Sequence, residues 1–260
     1  MGMKKYFEGF LMALTMYTII PVKFHKWEEE NRPQMITCLP FVGLVIGAIW
    51  AAILYVLQFA VTGDFLPKPI AAVLFALYPF IISGGLHLDG FMDVTDATKS
   101  CRDLEERRRI LKDSHVGSFA TVGAIMLFLL WFAASLSFDF CAEDFHILVF
   151  LPIVSRSIGG LAVSLLPTMT TSEYGEKFRS GISKGKIAFI TICIVISIVA
   201  SVFLCGMDAI AVIALVIAAW AAIFKAYKSL EGMNGDIAGY SIVVSETVSI
   251  LALSIIEFIK

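Results

Sequence analysis

Charge is scarce in this chain of 260 residues: Asp, Glu, Lys and Arg make up only 16% of it, while 58% is hydrophobic. A water-soluble domain carries about 25% charged residues, so too few are present here to clothe one. With a mean hydropathy of +0.85, the chain reads as an integral membrane protein. A basic excess is also missing, since 20 Lys and Arg face 22 Asp and Glu for a net charge of −2. That excludes a nucleic-acid binder working by neutralisation of many phosphates. The five cysteines (Cys38, Cys101, Cys141, Cys193, Cys205) form no C-x-x-C pair, which leaves no disulfide framework and no zinc site to expect. No internal repeat, low-complexity tract or Gly/Ser linker divides the chain, so residues 1–260 are expected to form a single membrane-embedded domain. The segment Met1 to Val22 lacks a small-residue cleavage site and is interrupted by Glu8, so it is expected to stay on the mature protein.

Long apolar runs are what the chain has instead. A hydrocarbon core of about 30 Å needs about 20 apolar helical residues. Seven stretches meet this: Ile36 to Ala60, Pro69 to Leu88, Gly117 to Phe138, His146 to Leu166, Ile187 to Cys205, Ala209 to Tyr227 and Asp236 to Ile259. The segment Met1 to Val22 has Lys4 and Lys5 before it and Lys23 and Lys26 after it, which favours an interfacial helix over a crossing. The fold class is therefore all-α, a polytopic integral membrane bundle of about seven transmembrane helices with an N-terminal interfacial helix. With the N-terminus inside, every Lys and Arg except Lys68, Arg156 and Lys260 falls on the inner side. This is the bias expected of cytoplasmic loops. It places the N-terminus, and the long polar interruptions Asp89 to Val116 and Pro167 to Lys186, on the cytoplasmic side of a cytoplasmic (inner) membrane.

The first of these interruptions follows Ser83-Gly84-Gly85-Leu86-His87-Leu88 and carries Asp89, Asp93 and Asp96 at i, i+4 and i+7. At 3.6 residues per turn the three carboxylates share one helix face if the helix continues out of the membrane. A solvated helix face accounts for such spacing too. Like charges on one stripe repel, however, and a bound cation supplies a reason for them. Oxygen-only donors suit Mg²⁺, or Mn²⁺ as a substitute, which keep waters and bridge to substrate phosphates. Gly84, Gly85 and Gly90 leave room for a phosphate to approach the backbone. His87 lies off the aspartate face, as a structural hydrogen bonder or as a contact to substrate or metal.

Farther on, Asp103 to Lys112 reads as an exposed helix laced with pairs such as Asp103 with Arg107. Lys112-Asp113-Ser114-His115, just before a span, sets a cation, a carboxylate and a hydroxyl at the same membrane face, for a phosphate or metal role or as plain surface. Arg156 and Glu246 sit at about the middle of their spans, where an isolated charge costs several kcal/mol. They are expected to pair or share a polar cavity. Gly232-Met233-Asn234-Gly235-Asp236 opens the last span, either as an N-cap or as a phosphate or metal contact through Asn234 and Asp236.

Several of these stretches together resemble one family almost end to end. They are Ala13 to Val22, Leu39-Pro40-Phe41-Val42-Gly43 to Gly47, Gly84-Gly85-Leu86-His87-Leu88-Asp89-Gly90 to Asp96, Lys112-Asp113-Ser114 to Gly117, and Asn234-Gly235-Asp236 to Glu246. The chain is similar in them to the adenosylcobinamide-GDP ribazoletransferases, or cobalamin 5′-phosphate synthases, and Ser172-Glu173-Tyr174-Gly175-Glu176 fits the family's glycine-containing loop loosely. Two departures stand out: Ile19 where the family commonly has arginine, and Asn234 in place of a usual threonine. The resemblance implies a Mg²⁺-dependent transferase of cobalamin biosynthesis that joins adenosylcobinamide-GDP to α-ribazole or its 5′-phosphate and releases GMP. It implies Asp89, Asp93 and Asp96 as metal ligands, Asp89, Asp93 or Asp113 in catalysis, and His87, Lys112, Ser114, Arg156, Asn234, Asp236 and Glu246 around the substrates. The partners expected are these two substrates and the lipid bilayer, with no nucleic acid; a homo-oligomer is left open.

Two other readings are weighed beside it. A CDP-alcohol phosphotransferase also clusters aspartates in a membrane, but its D-G-x-x-A-R opening is absent here. A secondary transporter would place its binding groups at the bilayer midplane, in broken helices of repeated halves, whereas the polar groups here gather at one face.

Overall fold

The computed structural model describes residues 2–23, 28–138, 146–169 and 182–260. Among them the regular structure is helical, apart from one isolated parallel bridge between Thr168 and Met233. In chain order the helices are α1 (Gly2–Tyr17), α2 (Arg32–Thr37), α3 (Leu39–Thr62), α4 (Lys68–Ile82), α5 (Leu86–Lys99), α6 (Leu104–Ile110), α7 (Ser118–Ser137), α8 (Ile147–Leu165), α9 (Lys184–Cys205), α10 (Ala209–Leu230) and α11 (Gly235–Ile259).

Five helical stretches are long and apolar enough to cross a membrane, and the bent pair α4–α5 makes a sixth. One of the five is the 47-residue run Lys184–Leu230. A straight helix of that length would reach about 70 Å, more than twice a hydrocarbon core. It folds back at Gly206, whose φ of +56° breaks the helix, so that α9 and α10 both pack on α8. All seven expected spans are thus present as helices. Helix α1, sixteen residues with Lys4, Lys5 and Glu8 in its first half, is not among the membrane-length helices.

Helix α8 is the axis of the bundle. It packs against α3, α9, α10 and α11, and Arg156 on it is 2% exposed. The outer helices turn large apolar side chains outward, such as Phe203 on α9 at 83% exposure, as lipid contact requires. Trp50, Phe75, Phe80 and Trp131 form the aromatic contact joining α3, α4 and α7, and Trp131 Nε1 donates to Thr247 Oγ1 at 2.8 Å to tie α7 to α11.

Two expectations about element boundaries change. The first expected span opens with its own short helix, α2, ended at Cys38 just before Pro40 on α3; a proline inside a continuing helix would clash with the preceding turn. The second does not run straight out of the membrane into the aspartates: α4 ends at Ile82 and α5 leaves at 86° to it. Gly84 and Gly85 have φ of +61° and +78°, a left-handed pair that only glycine adopts cheaply, and their N–H groups cap the carbonyls of Ile81 and Phe80.

The starts of α7, α9 and α11, the ends of α8 and α10, and all of α6 lie at one end of the bundle. This end carries most of the described Lys and Arg. Arg107 Nη1 donates to the Ser229 carbonyl at 3.2 Å and Arg108 Nε to that of Leu230 at 3.0 Å, so α6 closes the C-terminus of α10. The expected Asp103–Arg107 pair gives way to this: Asp103 instead caps α6 by accepting from Glu106 N at 2.9 Å, because unsatisfied helix-end groups are stronger competitors than an exposed ion pair. At the opposite end, Lys260 Nζ donates to the Asp208 carboxylate at 2.9 Å.

Candidate active site

The site is built where α5 crosses α11. A Cβ on Gly90 would stand 2.8 Å from the Asp236 carbonyl oxygen, so only glycine lets the two backbones approach this closely. Phe91 stacks on Tyr240 at a centroid distance of 5.8 Å and fixes the rotation of α5. These contacts bring Asp89 and Asp93 to the N-terminus of α11. There Asn234 caps the helix by accepting from Ile237 N at 3.0 Å and donates from Nδ2 to Asp236 Oδ2 at 2.6 Å.

Asp89, Asp236 and Asp96 all act electrostatically on Asp93, and Asp89 acts on Asp236. The cluster therefore includes a carboxylate contributed by a second helix. Asp96, although on the same face, is engaged elsewhere, since its Oδ2 accepts from Gly117 N at 2.6 Å and its Oδ1 from Ala120 N at 2.9 Å. Both oxygens are spent on the free N–H groups at the start of α7, where a carboxylate also meets the positive end of the helix dipole. Asp96 is thus tied to the start of α7, while Asp89, Asp93 and Asp236 face one another at the crossing. Among the described residues no group of three or more His, Cys, Asp or Glu is arranged to hold a metal by itself. Two or three oxygen donors at an open face are the set that suits Mg²⁺ when substrate phosphates and waters complete its shell.

Two cavities flank the start of α5. An open one of about 620 Å³ is lined by Thr18, Ile19, Ser83, Gly84, Gly85 and Asp89. A more enclosed one of about 250 Å³ contains His87, Asn234 and Asp236 at one end and Arg156 deeper in. His87 is 5% exposed and stacks on Tyr17 of α1, with ring centroids 6.3 Å apart. Arg156 donates through Nη1 to Glu246 Oε1 and to Ser155 Oγ, and Ser155 Oγ donates in turn to Glu246 Oε1 at 2.7 Å. The expected mid-membrane pair is present, and Arg156 also faces the cavity.

The remaining expected residues lie apart from this centre. Lys112, Asp113 and Ser114 are exposed between α6 and α7. Asp113 Oδ1 accepts from the His115 ring Nδ1 at 2.6 Å and from its backbone N at 3.0 Å, which holds its carboxyl below the usual carboxylate range. The loop Ser172 to Glu176 lies outside the described residues. The structure adds Tyr17, Thr18, Gly159 and Gly160 to the cavity walls. Tyr17 and Thr18 fall within a stretch that the resemblance had marked, whereas Gly159 and Gly160 look in sequence like ordinary small residues of a membrane helix.

As a class, the fold and site describe a polytopic all-α membrane protein with an acidic cluster and two cavities at one end of its bundle. The sequence model of the family described as cobalamin-5-phosphate synthase matches residues 9–254. The chain belongs to that family. Relatives named adenosylcobinamide-GDP ribazoletransferase are 37% identical in Clostridium botulinum (96% of this chain, 98% of the relative) and 36% identical in Clostridium perfringens (98% and 100%). Another with that name, in Brevibacillus brevis, is 33% identical over 95% of this chain and 97% of its own. No solved structure matches the chain.

Proposed function

We propose that the chain is a Mg²⁺-dependent adenosylcobinamide-GDP ribazoletransferase of a prokaryotic cytoplasmic membrane, with its basic end and active site facing the cytoplasm. The observation that supports it most is that the family match runs through the crossing of α5 and α11, where Asp89, Asp93 and Asp236 gather against two cavities. In this reaction a ribazole hydroxyl attacks the phosphorus attached to cobinamide. The bond from that phosphorus to the bridging oxygen breaks, GMP leaves, and the hydroxyl proton passes to a base.

Asp89, Asp93 and Asp236 are the residues that would hold Mg²⁺, which when bound neutralises diphosphate charge and the charge developing on the leaving group. Asp89, exposed on the wall of the open cavity beside Gly84 and Gly85, faces the diphosphate, and the left-handed glycine turn leaves the backbone free of side chains there. Asp93 and Asp236 are half-buried, and whichever of the three carboxylates is not bound to the metal would take the proton. Asn234 orients Asp236 through its 2.6 Å hydrogen bond. Basic residues of α6 act here as clamps on α10.

Purified protein in lipid nanodiscs, given adenosylcobinamide-GDP, α-ribazole 5′-phosphate and Mg²⁺, is expected to yield a cobamide phosphate and GMP in equal amounts by mass spectrometry. Cobinamide phosphate with a guanylylated ribazole would mean attack on the other phosphorus. Turnover of a CDP-alcohol, or movement of a corrinoid across the membrane without covalent change, would move the reading to one of the other two classes.

A further inference from the structure

The two cavities differ in a way that divides the labour between two substrates. The enclosed one is several-fold too small for a corrinoid conjugate and about the size of a nucleoside. Its lining includes the stacked pair Tyr17 and His87, with 18° between the ring planes, and Gly159 and Gly160 of α8. Leu39, Val163 and Ile242 supply much of the remaining lining, and an apolar cavity with an aromatic pair in it suits a planar ring. Its polar groups are at the two ends. Asn234 and Asp236 form the mouth next to the acidic cluster, and Arg156 stands deeper, at the level of Glu246 ten residues along α11. Arg156 is 2% exposed, and its Nε–H has no hydrogen-bond partner among the described residues. That Nε is sealed from the cavity, so Arg156 bounds its deep end as a group already paired with Glu246.

We infer that this cavity, resting on the transferase reading above, is the seat of the ribazole nucleoside, base inward and sugar outward. The base lies inward along the Tyr17–His87 pair and the apolar lining, and the ribose hydroxyls meet Asn234 and Asp236. The attacking hydroxyl is then delivered at the contact of Gly90 with Asp236, beside Asp89 and Asp93. The corrinoid and its diphosphate occupy the open cavity on the Gly84–Gly85 side.

Gly159→Ala tests this. A Cβ there would stand 3.6 Å from Ala238 and Ile242, ordinary contact distances, so the fold accepts it while the cavity narrows. Titration calorimetry on the full protein in nanodiscs is expected to show α-ribazole binding weakened at least tenfold in Gly159→Ala, with GDP binding within twofold of wild type. Weakened GDP binding with unchanged α-ribazole, or no change in either, would overturn the assignment while leaving the transferase reading intact. As a measurement that does not depend on that variant, Val163→Cys on the cavity wall is expected to be protected from a maleimide by α-ribazole and not by GDP. Protection by GDP alone would overturn it as well. If wild-type protein binds no α-ribazole and makes no cobamide, the transferase reading itself fails, and this assignment fails with it.

Discussion

Replacing Asp96 separates a structural carboxylate from a metal ligand more sharply than any other change. Asp96 is 9% exposed and accepts from two backbone N–H groups 21 and 24 residues away, at 2.6 and 2.9 Å. A hydrogen bond to a charged group contributes about 1.5–3 kcal/mol, and a buried donor left unsatisfied costs about 1–3 kcal/mol. Asp96→Ala removes both acceptors and the charge at the helix N-terminus, for an expected loss of about 3–5 kcal/mol. Asp96→Asn keeps one acceptor oxygen and is expected to cost about half as much. In a chain of this size each kcal/mol moves the melting temperature by about 2–4 °C, so Asp96→Ala is expected about 6–20 °C below wild type in a detergent unfolding scan. The companion measurement is Mn²⁺ binding by electron paramagnetic resonance on Asp96→Asn, which is expected to keep wild-type affinity. An Asp96→Asn protein with unchanged melting temperature and lost Mn²⁺ binding would refute the reasoning.

Breaking the buried pair with Arg156→Ala is expected to destabilise by about 3–5 kcal/mol, and Arg156→Met with Glu246→Leu by clearly less than the two single changes added, read from chemical unfolding of the four proteins. Gly90→Ala sets a methyl 2.8 Å from the Asp236 carbonyl and is expected to cut kcat about 100-fold with the protein still folded, because the helices must part at the reacting groups. Arg108→Ala removes donors at 3.0 and 2.8 Å to the Leu230 and Glu231 carbonyls, and is expected to cost about 1–2 kcal/mol and leave KM for both substrates unchanged.

The spans were legible because each is a long apolar run whose ends are marked by charge, and the helices begin and end within a few residues of where hydropathy put them. Depth along two helices also foretold the Arg156–Glu246 pair, since each charge lay mid-span. What failed to show was the direction of the chain after Ile82. The glycines were visible, but a left-handed pair turning the chain by 86° is a backbone state that spacing does not encode. For the same reason the i, i+4, i+7 pattern grouped Asp89, Asp93 and Asp96 on one face without showing where the oxygens of Asp96 are engaged. Its partners are N–H groups of α7, and the carboxylate that joins the cluster, Asp236, comes from α11. Arg107 and Arg108 repeat the lesson: local charge pairing suggested intrahelical partners, while their acceptors stand more than 120 residues away at the end of α10.

The carboxylates at the crossing of α5 and α11 are proposed to carry out the transfer without being needed for the fold. This is tested most directly by steady-state GMP release from wild type, Asp89→Ala and Asp93→Ala in matched nanodiscs, with melting temperatures taken on the same samples. A loss of at least 1,000-fold in kcat is expected for both variants at melting temperatures equal to or above that of wild type, because removing one of several repelling carboxylates relieves repulsion in the folded protein. Variants that keep more than a tenth of wild-type turnover would contradict it.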